Sequence, residues 1–435
     1  MKKIIIIAVM AGIARPSFAQ TRDYAPGTGG QFDLPGMSAP ELKAMSPAGA
    51  AAVEPEMARV KGQTASEKIK FDLVSAADRK DYISKASLWI PEGSMKTESM
   101  DFKKGPFDPL KYLPEELVTC KYIPMAIAYD GVKPSGMTPK FKCEDPKGKK
   151  HKVKYGKQNG EVITEVAATW ILTAIGAYAD RMYPVTLTCP DCPSDPFVSE
   201  SDIGAWPAAS QVAIEDKIGE RIEVTPNSGI GFNEFYMIED RVGAEALLAI
   251  TQFLGNTDNK APNQAIACLK EDTAADPVTG KAKCLKPFVY MQDTGITFGG
   301  RGLYHNSRMN FKAWAAETVW LDPAKCILRL QTAPTSTLTG IDASGRDLHQ
   351  IGEKARQMLV RRLSMLSREQ LADIFTAARA PQRAPQHTAE EWADLFLSKV
   401  EQLRNPMGNT GEGTFSCPYE VVPENSAAAA VQPAH

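Results

Sequence analysis

The chain has 435 residues, enough to bury a large core as one two-lobed unit of catalytic size. Its net charge is −2, so nothing in the overall charge indicates nucleic-acid binding. Beyond the first residues no stretch is apolar enough to cross a bilayer, and we therefore expect no transmembrane segment in the mature chain.

The N-terminus has the three-part pattern of a secretory signal peptide. Lys2 and Lys3 supply a positive segment, and residues 4–13 form an apolar run too short for a membrane span. Residues 17–19, Ser-Phe-Ala, form a small-x-small cleavage site, which predicts a mature chain that begins at Gln20. The alternative is a buried N-terminal helix. The pattern favours a periplasmic or secreted protein.

Eight cysteines agree with export, because an even number in an exported chain indicates disulfides. Cys268 and Cys284 flank a polar, turn-rich segment suited to a hairpin tip, so we expect them to pair. Cys189 and Cys192 form a CxxC surrounded by prolines, which favours a loop disulfide over a redox or zinc motif. The expected disulfides are Cys120–Cys143, Cys189–Cys192, Cys268–Cys284 and Cys326–Cys417.

The chain divides into five segments by composition and periodicity. They are a signal peptide (1–19), a Gly/Pro/Ala-rich, loosely folded extension (20–106), a β-rich region (107–185), a mainly helical region (186–420) and a disordered tail (421–435). Strands are predicted at 117–123, 140–143, 151–155, 183–188 and 287–292, and helices at 76–85, 161–176, 244–254, 351–366, 368–378 and 388–403. The fold class is therefore α+β.

Lysines crowd the predicted hairpin of residues 140–155. They are Lys140, Lys142, Lys147, Lys149, Lys150, Lys152 and Lys154, followed by Lys157. Lysines on an exposed sheet edge prevent pairing with another chain. Clustered ammonium groups also suit a polyanion, such as a nucleotide. We expect that most of these lysines lie on a solvated sheet edge and do not bind a polyanion.

Lys154 is the exception, because a predicted helix carboxylate, Glu165, follows it closely in the chain. Alternation places Lys152 and Lys154 on one face of their strand, and Val153 on the other. A lysine held by a helix carboxylate can bind phosphate oxygens in a fixed position. The alternative is a pair of plain surface charges.

Two loops carry oxygen ligands. Asp258 and Asn263 lie five apart after an apolar helix, as in the D-x-x-x-x-N loops of phosphoryl transfer. Asp293 follows a buried strand and precedes Thr-Gly, as in the D-x-G that holds Mg²⁺. Mg²⁺ prefers such hard oxygen ligands. The alternatives are a helix connection with Asx-turns and a strand end with a turn Asp.

In this order the segments resemble the kinase-like superfamily, in its divergent branch with the phosphatidylinositol kinases, the HipA toxin kinases and the secretory-pathway kinases. The resemblance covers roughly residues 107–380. It implies a two-lobed protein-kinase-like fold, with a β-rich N-lobe and a mainly helical C-lobe, that uses ATP and Mg²⁺. Lys154 would contact the α/β-phosphates and Glu165 would pair with it. Asp258 would be the catalytic-loop Asp, while Asn263 and Asp293 would hold Mg²⁺.

The chain departs from that pattern at two places. No G-x-G-x-x-G precedes Lys154, residues 131–136 being the nearest segment, and Asn256 stands where protein kinases keep a His. The resemblance implies an exported phosphotransferase whose acceptor is a protein, a lipid or a small molecule. One alternative is a catalytically inactive kinase-like binding protein, which needs no ATP outside the cytoplasm. Another is an unrelated disulfide-stapled periplasmic or surface protein.

Overall fold

A computed structural model describes residues 71–408 and 415–419, apart from short gaps at 72, 130–135, 137, 157–158, 226–227, 279, 301–308, 330–335, 339, 344 and 346. The predicted signal peptide, the first part of the extension and the predicted tail lie outside the described residues. Most of the candidate glycine loop, 131–136, also lies outside them.

The described chain is α+β, as predicted, with most strands in its first part and most long helices in its second. The helices are α1 (Ala76–Lys85), α2 (Met125–Ala128), α3 (Glu161–Ala174), α4 (Arg241–Phe253), α5 (Phe311–Ala316), α6 (Glu353–Leu363), α7 (Arg368–Ala377), α8 (Ala380–Arg383) and α9 (Ala389–Arg404). The strands are β1 (Leu117–Thr119), β2 (Lys121–Ile123), β3 (Lys140–Glu144), β4 (Lys150–Lys154), β5 (Arg181–Thr188), β6 (Pro193–Asp195), β7 (Ser199–Ile203), β8 (Ser210–Asp216), β9 (Glu220–Arg221), β10 (Gln264–Cys268), β11 (Thr273–Ala275), β12 (Ala282–Cys284), β13 (Phe288–Met291), β14 (Trp320–Asp322) and β15 (Ile327–Leu328).

The principal sheet has six strands in the order β1-β5-β8-β4-β3-β2. β1 pairs with β5 in parallel, and the other neighbours are antiparallel. The single strand predicted at 117–123 is instead split at Cys120 into β1 and β2, which lie at opposite ends of this order. Because one residue joins these two strands, the sheet curls so that its edges meet. Lys142 of β3 lies between β2 and β4, and Lys152 of β4 lies between β3 and β8, so the solvated edge expected from the sequence is wrong for these two lysines.

Strand β8 comes from beyond the predicted boundary at residue 185 between the β-rich and helical regions. Its run of buried residues from Val212 to Glu215 lies between β5 and β4, so both faces of the strand are covered. A fully buried strand loses the alternation that marks a half-exposed one. The β-rich region therefore extends to residue 216.

Helix α3, within the helix predicted at 161–176, is buried on nearly all sides. All but one of its residues are buried, including Glu161, Thr164 and Glu165. The indole of Trp170 donates to the carbonyl of Met182 on β5 at 2.8 Å, which fixes the helix against the sheet. A helix covered on every side must satisfy its polar side chains within the protein.

The described part of the predicted extension packs into the core, whereas the sequence predicted a loosely folded segment. Tyr82, Ile83 and Leu88 are buried, and so are Trp89 and Phe102. The indole of Trp89 donates to the carbonyl of Gly243 on α4 at 2.8 Å. Apolar side chains spaced through a Pro- and Ser-rich segment can still pack when a distant helix supplies the partner surface.

All four expected disulfides are present. They are Cys120–Cys143, Cys189–Cys192, Cys268–Cys284 and Cys326–Cys417. Helix α9 begins with a capping box, in which the Thr388 hydroxyl accepts from the Glu391 N–H at 3.2 Å. None of the described helices has the length and apolar character that a membrane span needs.

Candidate functional site

Lys154 and Glu165 form a buried ion pair between sheet and helix. Lys154 ends β4, and Glu165 lies in the second turn of α3. The lysine Nζ lies 2.7 Å from both carboxylate oxygens. The two side chains are 3% and 1% exposed, which excludes the reading as plain surface charges. The predicted contact is therefore present, and it fixes the position of the ammonium group.

Three carboxylates surround the ammonium group of Lys154. Besides Glu165, an oxygen of Glu215 and Oδ1 of Asp293 each lie 3.5 Å from Nζ. Burial opposes the charge, but the carboxylates outweigh it and raise the pKa of Lys154 well above its ordinary value. Burial also raises the pKa of Glu165, against the ammonium group of Lys154. The ionisation of Glu165 thus depends on its lysine partner.

Asp293 holds its carboxylate at the surface of this cluster. It directly follows β13, has a left-handed backbone with φ of 54°, and its side chain is 42% exposed. Although partial burial would raise it, the pKa of Asp293 lies below its ordinary value because of Lys154 and Lys260. Its oxygens are ionised and accessible, which suits a divalent cation.

Gly295, the second residue after Asp293, packs closely against helix α3. The hydroxyl of Thr164 on α3 donates to the carbonyl of Gly295. A Cβ at Gly295 would lie 2.8 Å from Cβ and Cγ of Glu161, so only glycine allows this approach. The contact joins the loop of Asp293 to the helix that carries Glu165.

Asp258 and Asn263 lie on one short loop after α4. The helix ends at Phe253, and Gly255 follows its C-cap with a left-handed φ of 69°. The amide nitrogen of Asn263 donates to the carbonyl of Asp258 at 2.7 Å, which closes the loop. That bond uses the nitrogen of the carboxamide and leaves its oxygen as the atom suited to a cation.

Backbone bonds attach this loop to the segment of Asp293. The N–H of Gln292 donates to the carbonyl of Asn263 at 2.9 Å, and the N–H of Thr257 to that of Ile296 at 3.1 Å. Lys260 Nζ lies 2.6 Å from Oδ2 of Asp258, and the same charge lowers the pKa of Asp293. Lys260 therefore has both aspartates as neighbours.

The arrangement fits Mg²⁺ bound together with a phosphate chain. No cluster of three His, Cys, Asp or Glu side chains suited to a metal occurs among the described residues. Mg²⁺ is usually bound by one or two carboxylates plus substrate phosphates and water, and does not need such a cage. Asp293, 3.5 Å from the buried ammonium of Lys154, and the carboxamide oxygen of Asn263 on the attached loop could supply such ligands.

The sequence analysis did not identify Glu215, whose carboxylate contacts the ammonium groups of three lysines. It lies opposite Lys152 in the ladder between β4 and β8, and its carboxylate contacts Lys152 Nζ at 2.6 Å and Lys217 Nζ at 3.0 Å. Burial opposes it, yet these lysines hold the pKa of Glu215 well below its ordinary value. The available signal was a carboxylate inside the apolar run Val-Ala-Ile-Glu.

A second ion pair, between an exposed lysine and a buried aspartate, lies next to Glu215. Lys217 Nζ is 2.7 Å from Oδ2 of Asp180 and 2.9 Å from the side-chain oxygen of Gln292. Burial and Glu215 raise the pKa of Asp180 to about 6, against Lys217. Since Gln292 immediately precedes Asp293, this pair joins the end of β8 to the candidate site.

No protein-family model matches the chain, and no curated protein matches it. Among solved structures it is similar to the Helicobacter pylori proinflammatory kinase CtkA, with 12% sequence identity and a TM-score of 0.36. The alignment covers 67% of this chain and 95% of that chain. The similarity is limited to the path of the backbone.

Proposed function

We propose that the protein is a kinase-like phosphotransferase that uses ATP with Mg²⁺. The observation that carries the proposal is the buried lysine held between a helix carboxylate and an accessible aspartate. Lys154 contacts Glu165 at 2.7 Å and Asp293 at 3.5 Å. Burying an ammonium group costs free energy unless the group is paired, and Glu165 provides that pairing. An ammonium group held in place in this way suits binding to phosphate oxygens.

Each side chain has a task in such a reaction. Lys154 would bind oxygens of the α/β-phosphates, with Glu165 holding the ammonium in place. The oxygens of Asp293 and Asn263 would hold Mg²⁺, which supplies charge neutralisation of the phosphates. Catalysis would then consist of positioning and electrostatic stabilisation.

Asp258 would orient the acceptor. The acceptor oxygen forms a bond to the γ-phosphorus while the bond to the β,γ-bridging oxygen breaks, and the proton of the acceptor hydroxyl passes to the Asp258 carboxylate. Lys260, 2.6 Å from that carboxylate, would lie beside the transferred group and balance its charge. The acceptor belongs to one of three classes, proteins, lipids or small molecules.

The test is transfer of radiolabelled γ-phosphate from ATP to a mixed acceptor panel, or to water, by the purified mature protein. We expect Mg²⁺-dependent release that Asp258→Asn and Asp293→Asn abolish. Asp81→Asn is the matched control, because Asp81 is an exposed carboxylate on α1 that contacts Lys85. Nucleotide binding without any turnover would favour the inactive binding protein. Absence of both binding and turnover would reject the kinase-like reading.

A further inference from the structure

A cavity of about 770 Å³ lies between the first turn of α3, the start of β8, strand β6 and helix α8. Tyr155 lines it, and the ring of Tyr155 lies 5.5 Å from that of Phe141, on the apolar face of the β3–β4 hairpin. None of the five candidate-site residues lines the cavity. It is therefore separate from the candidate site, and its volume is within the range of small-molecule sites.

The inner wall of the cavity is aromatic and aliphatic. The rings of Tyr155 and Trp206 lie 5.2 Å apart and meet at 70°, and Val162 and Ile163 extend the wall from α3. Hydroxyl and amide side chains line the rest, among them Ser210. A ligand with a ring can pack against such a wall through dispersion and edge-to-face contacts.

Two charged side chains line the cavity, and one of them is already paired. The guanidinium of Arg379 lies 2.6 Å from Oε1 of Glu115 and donates to the carbonyls of Val185 and Val212 at 3.0 and 3.2 Å. Each of its three nitrogens thus donates within the protein. An anionic ligand would gain little from a guanidinium whose charge Glu115 neutralises.

Asp195 is the other charged side chain, and its carboxylate is held in place without a cation. Its Oδ1 accepts from the Tyr155 hydroxyl and from the N–H groups of Phe197 and Val198, the latter two at 3.2 Å. Within the described part of the chain, Oδ2 accepts no hydrogen bond and no ammonium or guanidinium group forms an ion pair with Asp195. The cavity therefore presents one uncompensated negative charge beside an aromatic wall.

We propose that this cavity binds a small organic cation, an ammonium group on an apolar body that contains a ring. The ammonium group pairs with Oδ2 of Asp195, and the body packs against Tyr155 and Trp206. Because the Tyr155 hydroxyl fixes the carboxylate at the edge of the aromatic wall, a cation bound to Asp195 also lies near the Tyr155 ring, which attracts positive charge. The inference does not rest on the proposed function, since it involves neither a nucleotide nor a metal ion.

Calorimetric titration of the purified mature protein with three indoles of similar size tests the proposal. Tryptamine carries an ammonium group, tryptophol a neutral hydroxyl, and indole-3-acetate a carboxylate. We expect saturable binding of one tryptamine, at least tenfold weaker binding of tryptophol, and no measurable binding of indole-3-acetate. This comparison uses the wild-type protein alone, so it does not depend on the folding of a variant.

Asp195→Asn assigns the charge preference to the cavity. The variant keeps an oxygen for the Tyr155 hydroxyl and the two N–H groups, so its thermal unfolding midpoint should stay close to that of the wild type. Its affinity for tryptamine should fall at least tenfold, to that for tryptophol. Asp101→Asn is the matched control and should bind tryptamine like the wild type, because Asp101 is an exposed carboxylate outside the cavity that pairs with Lys104.

Equal affinity of the wild type for tryptamine and tryptophol would overturn the proposal, and so would the absence of tryptamine binding. Unchanged tryptamine affinity in Asp195→Asn would show that the cation does not pair with Asp195. An equal loss in Asp101→Asn would show a general effect of net charge and would overturn the proposal as well.

Discussion

The two faces of the β3–β4 hairpin differ in how their side chains are satisfied. One face carries Phe141 and Val153, both fully buried, and the other carries Lys140, Lys142, Lys152 and Lys154. The rings of Tyr122, Tyr155 and Trp206 lie within 5.3 to 6.0 Å of the Phe141 ring, so neighbours in the same region cover the apolar face. On the other face, Lys152 and Lys154 instead depend on carboxylates from α3, β8 and the loop after β13. An apolar face is completed by local packing, whereas a charged face becomes a site only when distant segments meet.

The apolar face should contribute the larger share of stability. Phe141→Ala removes a fully buried ring and should lower the free energy of unfolding by about 3–5 kcal/mol. Denaturant unfolding measures this, and the folded fraction should keep its affinity for MgATP. Leu117→Ala is the control, because Leu117 is 62% exposed and its loss should cost under about 0.5 kcal/mol. A large loss of affinity in Phe141→Ala would show that the two faces are not separate in function.

Lys154 should matter for stability through its partner more than through its own contacts. Lys154→Ala leaves Glu165 buried without its ammonium partner and should cost about 3–5 kcal/mol. The double variant Lys154→Met/Glu165→Leu should recover most of that loss, since apolar residues often replace a buried ion pair without cost. Nucleotide binding should stay absent in both.

The double variant thus separates folding from chemistry at one contact. Denaturant unfolding of Lys154→Met, Glu165→Leu and the double variant gives the coupling between the residues. Additive losses in the double variant would contradict a mutually dependent pair. Recovery of nucleotide binding together with stability would contradict the role of the ammonium group.

Asp293 should show the opposite balance, a small effect on stability and a large one on binding. Asp293→Asn keeps the left-handed backbone, because Asn tolerates positive φ better than most residues. Its side chain is 42% exposed, so the free energy of unfolding should change by less than about 1 kcal/mol. Stabilisation by MgATP in a thermal shift assay should disappear. Retained stabilisation would exclude Asp293 as a cation ligand.

The smallest expected effect concerns His151, on the apolar face. Its ring is 3% exposed, and burial lowers the pKa of His151 below its ordinary value, although Asp145 opposes this. As pH falls below about 6.5 the unfolded chain takes up the proton first, so stability decreases on acidification. Unfolding free energies at pH 7.5 and pH 5 should fall more for wild type than for His151→Gln. An equal fall in both would show that His151 does not contribute.

Local patterns in the sequence predicted much of this molecule. Alternation and helical period located β3, β4 and α1, and the turn-rich segment between Cys268 and Cys284 predicted their disulfide. The order of Lys154, Glu165 and Asp293 predicted residues that the fold brings into contact. Their proposed roles remain predictions. Each of these signals is carried by residues near one another in the chain.

What the sequence could not predict depends on distant pairing. The insertion of β8 between β5 and β4 brings Glu215 to Lys152, and no local pattern specifies that neighbour. The split of residues 117–123 into two strands at opposite ends of the sheet has the same origin. Lys142 and Lys152, expected at a sheet edge, lie between paired strands, because edge and centre are properties of the complete sheet.

Calorimetric titration of ATP into the wild-type protein, with Mg²⁺ and then with EDTA, tests the central claim most directly. The account predicts saturable binding of one nucleotide with Mg²⁺, and affinity at least tenfold weaker with EDTA, because Lys154 contributes charge but Asp293 and Asn263 act through the cation. Absence of binding in both conditions, or the same affinity with and without Mg²⁺, would contradict it.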